Sequence, residues 1–139
     1  MGTRSAIGIK HGDVVKAVYC HWDGYLSHNG EILRDHYSDP FKLAELIAIG
    51  DLSSLAPSID KPAGHDFNKP VEGYTVFYAR DRGEELVVNK FKDFEDYKAN
   101  HQYEEYEYIL RPAGGWYVSQ YGGPYISLEE AFELEAESH

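Results

Sequence analysis

The chain has a single cysteine, Cys20, among 139 residues. One thiol makes no intramolecular disulfide and no thiolate-built zinc site, so stability has to come from a buried core. Long apolar runs are missing too. No stretch approaches the roughly 20 residues of a membrane-spanning helix, and the opening Met1-Gly2-Thr3-Arg4 is unlike a secretory leader. The expectation is a cytoplasmic protein with no membrane partner. Positive charge is scarce: 13 Lys and Arg stand against 24 Asp and Glu, a formal net charge of −11. Such a surface repels phosphate backbones, which argues against direct nucleic-acid binding. Catalytic signatures are also thin, with no Gly-Lys-Ser/Thr phosphate loop, no glycine-flanked serine elbow and no His-Glu-x-x-His.

What is present fits one folded domain. Hydrophobic residues at 42% and charged residues at 27% exclude a disordered chain, and the length suffices to bury a core. Twelve tyrosines stand out. Most occupy strand-like positions, where the ring packs and the hydroxyl reaches water. Ile7 and Ile9, a turn at His11-Gly12-Asp13, and Val14 to His21 read as a hairpin. After Tyr25 the spacing of Ile32, Leu33, His36 and Tyr37 is helical. Asp39-Pro40 places an N-cap before a proline at the first helical position, and Gly50 ends that helix. Residues 56–73, with three prolines and two glycines, form an irregular loop. Tyr74 to Arg80 and Glu85 to Phe91 predict a second hairpin around Asp81-Arg82-Gly83, followed by a short helix from Asp93 to Asn100. Tyr103 to Leu110 and Trp116 to Tyr121 predict a third around Pro112-Ala113-Gly114-Gly115. Ser127-Leu128-Glu129-Glu130 is a capping box that opens a terminal helix. Three hairpins separated by helices, without a βαβ rhythm, predict a single α+β domain over 1–139. Its sheet is mainly antiparallel, with short helices packed on it.

The densest chemistry lies in Tyr19-Cys20-His21-Trp22-Asp23-Gly24-Tyr25, where a strand ends and a glycine lets the chain turn. The hairpin register sets Arg4 opposite this exit, either as an anion clamp beside an aromatic face or as a surface pair with Asp23. Arg80 and Arg82 mark a second concentration of charge. They read either as a solubilising hairpin tip or, folded toward Arg4 and Tyr25, as part of a small basic, aromatic pocket. The candidate ligand-binding residues are therefore Arg4, His21, Trp22, Asp23, Tyr25, Arg80 and Arg82. If the protein is an enzyme, His21 and Asp23 are the acid–base or metal-binding pair. His65-Asp66 offers the same chemistry inside the loop. Neither has a recognised metal spacing, so no metal and no cofactor is expected. Cys20, in an apolar strand, reads as a small buried hydrophobe.

In Met1 to Ser5, His21 to Tyr25, Gly50 to Leu55, Arg80 to Glu84 and Glu104-Glu105-Tyr106, the chain resembles a family of small proteins encoded by tailed bacteriophages and prophages. The resemblance implies a setting, the cytoplasm of an infected bacterium, and no assigned mechanism. It points to a non-enzymatic accessory protein for host takeover or counter-defence. Such a protein would bind either a host protein or a small anionic, nucleotide-like ligand. The alternatives are a small hydrolase or nucleotide-modifying enzyme built on His21 and Asp23, and an acidic DNA mimic.

Overall fold

The computed structural model describes residues 3–100, 105–111 and 115–137. Strands β1 (Ser5–His11) and β2 (Val14–Cys20) form the first expected hairpin, with Ser5 opposite Cys20 and His11 opposite Val14. Gly12 sits at φ 62 between them, in the left-handed region that two-residue hairpin turns favour. A π-helical turn over Leu26–Gly30 runs into α1 (Glu31–His36), and α2 (Pro40–Ala48) follows. The cap on α2 is as expected: the Phe41 amide donates to Asp39 Oδ1 at 2.9 Å. Asp39→Ala should therefore lower stability by about 1 kcal/mol. A chemical-denaturation midpoint checks this, and an unchanged midpoint would mean that the cap contributes nothing.

Beyond α2 the chain returns to the sheet as β3 (Leu52–Ser54), which lies parallel to the end of β2, and later as β4 (Val76–Phe77), antiparallel to β3. The expected second hairpin does not form. Tyr78–Arg82 is a helical turn, α3, closed by Gly83 at φ 76. The following strand β5 (Asn89–Phe91) pairs instead with Val15–Ala17 of β2. Helix α4 (Phe94–Asn100) precedes β6 (Tyr106–Arg111) and β7 (Gly115–Gln120), which pair antiparallel. The turn expected at 112–114 and the strand start expected at Tyr103 lie outside the described residues. Strand β8 (Ile126–Ser127) and helix α5 (Leu128–Glu137) complete the order, and the Glu130 amide donates to Ser127 Oγ at 3.2 Å as the capping box predicts.

The fold is α+β on a single eight-stranded sheet, ordered β4-β3-β2-β1-β6-β7-β8, with β5 also on β2. The sheet is mostly antiparallel but mixed, because β1 pairs parallel with β6 and β2 with β3. One face carries Ile7, Ile9, Val18, Tyr108, Leu110 and Val118, packed against Leu26, Leu33, Leu43, Leu46 and Leu128. The opposite face is shallower, with Ala6, Val15, Ala17 and Ile109 beneath Phe91 and Tyr97. Small side chains there let α4 approach closely.

Candidate functional site

The Tyr19–Tyr25 exit is built by a tight crossing. His21 and Trp22 extend the pairing past β2, their amides donating to Leu52 O at 3.1 Å and Ser53 O at 3.0 Å. Asp23 then turns at φ 57, in the left-handed region that Asp tolerates better than most residues. The Gly24 amide donates to Thr3 O at 2.7 Å, and the Tyr108 hydroxyl donates to Gly24 O at 2.6 Å. A Cβ on Gly24 would lie 2.8 Å from Ser5 Cβ and 2.9 Å from the carbonyl oxygens of Thr3 and Arg4, so only glycine fits without a shift. This crossing leaves Trp22 43% and Tyr25 37% exposed on either side of Asp23.

Below the exit the polar groups are satisfied. Asn29, buried, donates to Ser5 Oγ at 3.1 Å and Cys20 Sγ at 3.4 Å. Burial pushes the Cys20 thiol up to about 11, so it is an inert core group, as its apolar setting in the sequence suggests. His21 Nδ1 lies 2.6 Å from the Tyr19 hydroxyl, and its ring meets Trp22 edge-on at 4.7 Å. The Tyr25 hydroxyl donates to Asp23 Oδ1 at 3.2 Å, and the charge of Asp23 raises the Tyr25 phenol above its usual pKa. His21 and Asp23 are each tied to a tyrosine and not to one another.

Next to the exit, Asp23 and His28 line a cleft of about 390 Å³ whose far wall is Val71, Glu72 and Tyr74 of the long loop. That wall is fixed by a buried charge cluster. Asp81, whose side chain is fully buried, accepts from the Phe77 amide at 2.8 Å and from Arg80 Nε at 2.9 Å. His65 Nε2 lies 3.5 Å from Asp81 and 3.2 Å from Thr75 O, and Lys61 Nζ lies 3.6 Å from Asp81. The Val71 amide donates to His65 Nδ1 at 2.9 Å, which makes Nε2 the protonated nitrogen. Arg80 also donates to Ile59 O and to Thr75 O, so its guanidinium clamps the loop to α3. Burial alone would raise the Asp81 pKa. The bonds from Arg80 and Phe77, with the Arg80 charge, outweigh it and hold the carboxyl below its usual value.

The arginines therefore stand apart and do not form one basic pocket. Arg4 pairs with Glu105, its Nε 3.4 Å from Oε2 and its amide at 2.8 Å, and not with Asp23. Arg82 stacks 4.6 Å over Phe67 and pairs with Glu84 at 3.2 Å. Arg80 follows β4, three strands from β1 in the sheet order. That is about 14 Å at ordinary strand spacing, which keeps it away from Arg4. Of the sequence candidates, only His21, Trp22, Asp23 and Tyr25 share one surface.

A second cleft, of about 530 Å³, was not foreseen. It lies on the shallow face of the sheet and is lined by Phe94, Lys98, Glu107, Arg111, Ser119 and Tyr125. Two charged residues four apart, Glu107 and Arg111, in an otherwise apolar strand were the available signal. Among the described residues no three His, Cys, Asp or Glu side chains converge, and no helix is long and apolar enough to cross a membrane. Comparison with known protein families, curated proteins and solved structures found no match to this chain.

Proposed function

We propose that this protein acts by binding, and that its exposed Trp22–Tyr25 rim and the adjoining cleft dock a basic segment of a partner protein. The observation that carries this reading is the pair of exposed aromatic rings flanking Asp23, with Val71 and Glu72 across the cleft. Aromatic anchors ringed by carboxylates suit a Lys- or Arg-rich chain. The net charge of −11 would steer such a partner in. Binding is favoured over acid–base catalysis because His21 Nδ1 and Asp23 Oδ1 are each engaged by a separate tyrosine and not by one another. A host protein in an infected bacterium is the partner that the phage-like motifs suggest.

Trp22 is exposed and Trp116 is buried, so tryptophan emission reports directly on the rim. Titration with a tryptophan-free, lysine-rich peptide should quench and blue-shift the exposed component, more weakly as salt rises. Trp22→Ala, followed by calorimetry, should weaken binding by about tenfold or more. Affinity that ignores salt, or that survives Trp22→Ala, would sink the proposal.

A further inference from the structure

An acidic protein rarely leaves an arginine without a carboxylate, and four of the five arginines here obey that rule. Arg4 pairs with Glu105, Arg34 with Asp35, Arg80 with Asp81 and Arg82 with Glu84. Arg111 departs from it. Among the described residues no carboxylate pairs with its guanidinium, and its Nε is buried with no hydrogen-bond partner. An unmade buried N–H is costly, and more so on a charged group. Two rings hold the guanidinium in place, Phe94 at 4.9 Å and Tyr117 at 4.7 Å from its central carbon. Rings that cover the faces of a planar cation leave its in-plane N–H donors for another group.

That other group has space, because Arg111 lines the 530 Å³ cleft. A volume of that order suits a compact organic ligand. Lys98 lines the same cleft, 5.1 Å over the Phe94 ring, and adds a second cation at its edge. The opposite end has the reverse sign. Glu107 is buried and accepts from the Tyr125 hydroxyl at 2.8 Å. Glu107 and Arg111 lie four residues apart on one strand, hence on the same face and about 13 Å apart along it. Phe94 and Tyr125, edge to face at 4.9 Å, form an aromatic wall in the same cleft. Lys98 is itself paired with the exposed Glu95 at 3.1 Å, so among the described residues the unpaired cation of the cleft is Arg111, with Glu107 at the other end and rings between them.

We infer that this cleft binds a flat heteroaromatic ring carrying one phosphate, the chemistry of a nucleoside monophosphate. The phosphate meets Arg111 and Lys98, where guanidinium forks suit phosphate oxygens. The ring lies along Phe94 and Tyr125, with its N–H donors toward Glu107. The Glu107 carboxylate repels a second anionic group at that end. This site shares no residue with the Trp22–Tyr25 rim, so either can fail without the other.

The test is titration calorimetry of the full chain with AMP, and separately with adenosine and with inorganic phosphate. AMP should bind with a dissociation constant near or below about 1 mM, and each half-ligand about tenfold or more weaker. Arg111→Gln should weaken AMP by about tenfold, and Lys98→Gln by a few-fold, whereas Arg34→Gln should leave it unchanged. Lys98 is exposed, so its variant keeps the test valid if Arg111→Gln does not fold. No detectable AMP binding, phosphate binding as tight as AMP, or equal losses in Lys98→Gln and Arg34→Gln would each overturn the inference.

Discussion

Asp81→Ala is expected to destabilise this protein by about 3–5 kcal/mol, the usual cost of stripping one partner from a buried charge cluster. The substitution leaves the Phe77 amide without its acceptor and Arg80 without its carboxylate, and removes the anion nearest Lys61 and His65. It also frees the wall that carries Val71 and Glu72, so peptide binding at the rim should weaken along with stability. Asp81→Asn keeps the shape and removes the charge, which gives the pH dependence a clear sign. The folded-state pKa of Asp81 lies below its unfolded value. The stabilisation is then full above the ordinary carboxylate pKa of about 4, and is lost as pH falls through the depressed folded value. Urea denaturation should therefore show a large gap between native protein and Asp81→Asn at neutral pH, narrowing in acid. A gap that stays constant across that range would show that the charge of Asp81 is not what matters.

Gly24→Ala is the second large effect, about 3 kcal/mol, and its cause is steric. The new methyl would sit under 3 Å from two backbone oxygens and from Ser5 Cβ, in strands fixed from both sides. Neither oxygen belongs to a flexible side chain, so the exit itself must lift. Lifting it breaks the Gly24–Thr3 and Tyr108–Gly24 hydrogen bonds and moves Trp22. The variant should thus lose stability and change the emission of the exposed tryptophan together. A loss under about 0.5 kcal/mol, typical of an innocuous surface change, would refute this account of the crossing.

Local chemistry made much of the architecture legible. The Asp39-Pro40 start, the Ser127 side-chain cap, the glycine turn at Gly12 and the alternation of Ile7 and Ile9 each act within a few residues, and each is present. The Arg80-Asp81-Arg82-Gly83 stretch misled for the same reason. It has a hairpin-tip composition, yet Asp81 bonds back to the Phe77 amide and is buried against His65, sixteen residues upstream in the chain, which turns the stretch into a helix. Parallel pairing of β1 with β6 leaves no local trace, since it depends on residues a whole domain apart. The exit motif was readable because its side chains are adjacent in sequence. Arg4 was placed near it correctly by register, but Glu105, distant in the chain and just ahead of the neighbouring strand β6, takes its side chain. Arg111 was missed because its distinguishing mark is a partner it lacks, and a missing contact is not written in residue order.

The pairing of β1 with β6 also bears on how the chain reaches this structure. Contacts here, such as Arg4 with Glu105, join positions 101 apart in the chain. High contact order of this kind slows folding, because the closure entropy is lost before the contact forms. On the ribosome, the first hairpin emerges with one edge of β1 open, and that edge stays unpaired until β6 has been synthesised. During this interval Ile7, Ile9 and Val18 lack Tyr108, Leu110 and Val118, which later extend the same core, and an open strand edge is where chains pair with one another. Translation speed past residue 111, and the chaperones present at that moment, would then govern the yield of native protein more than its final stability does.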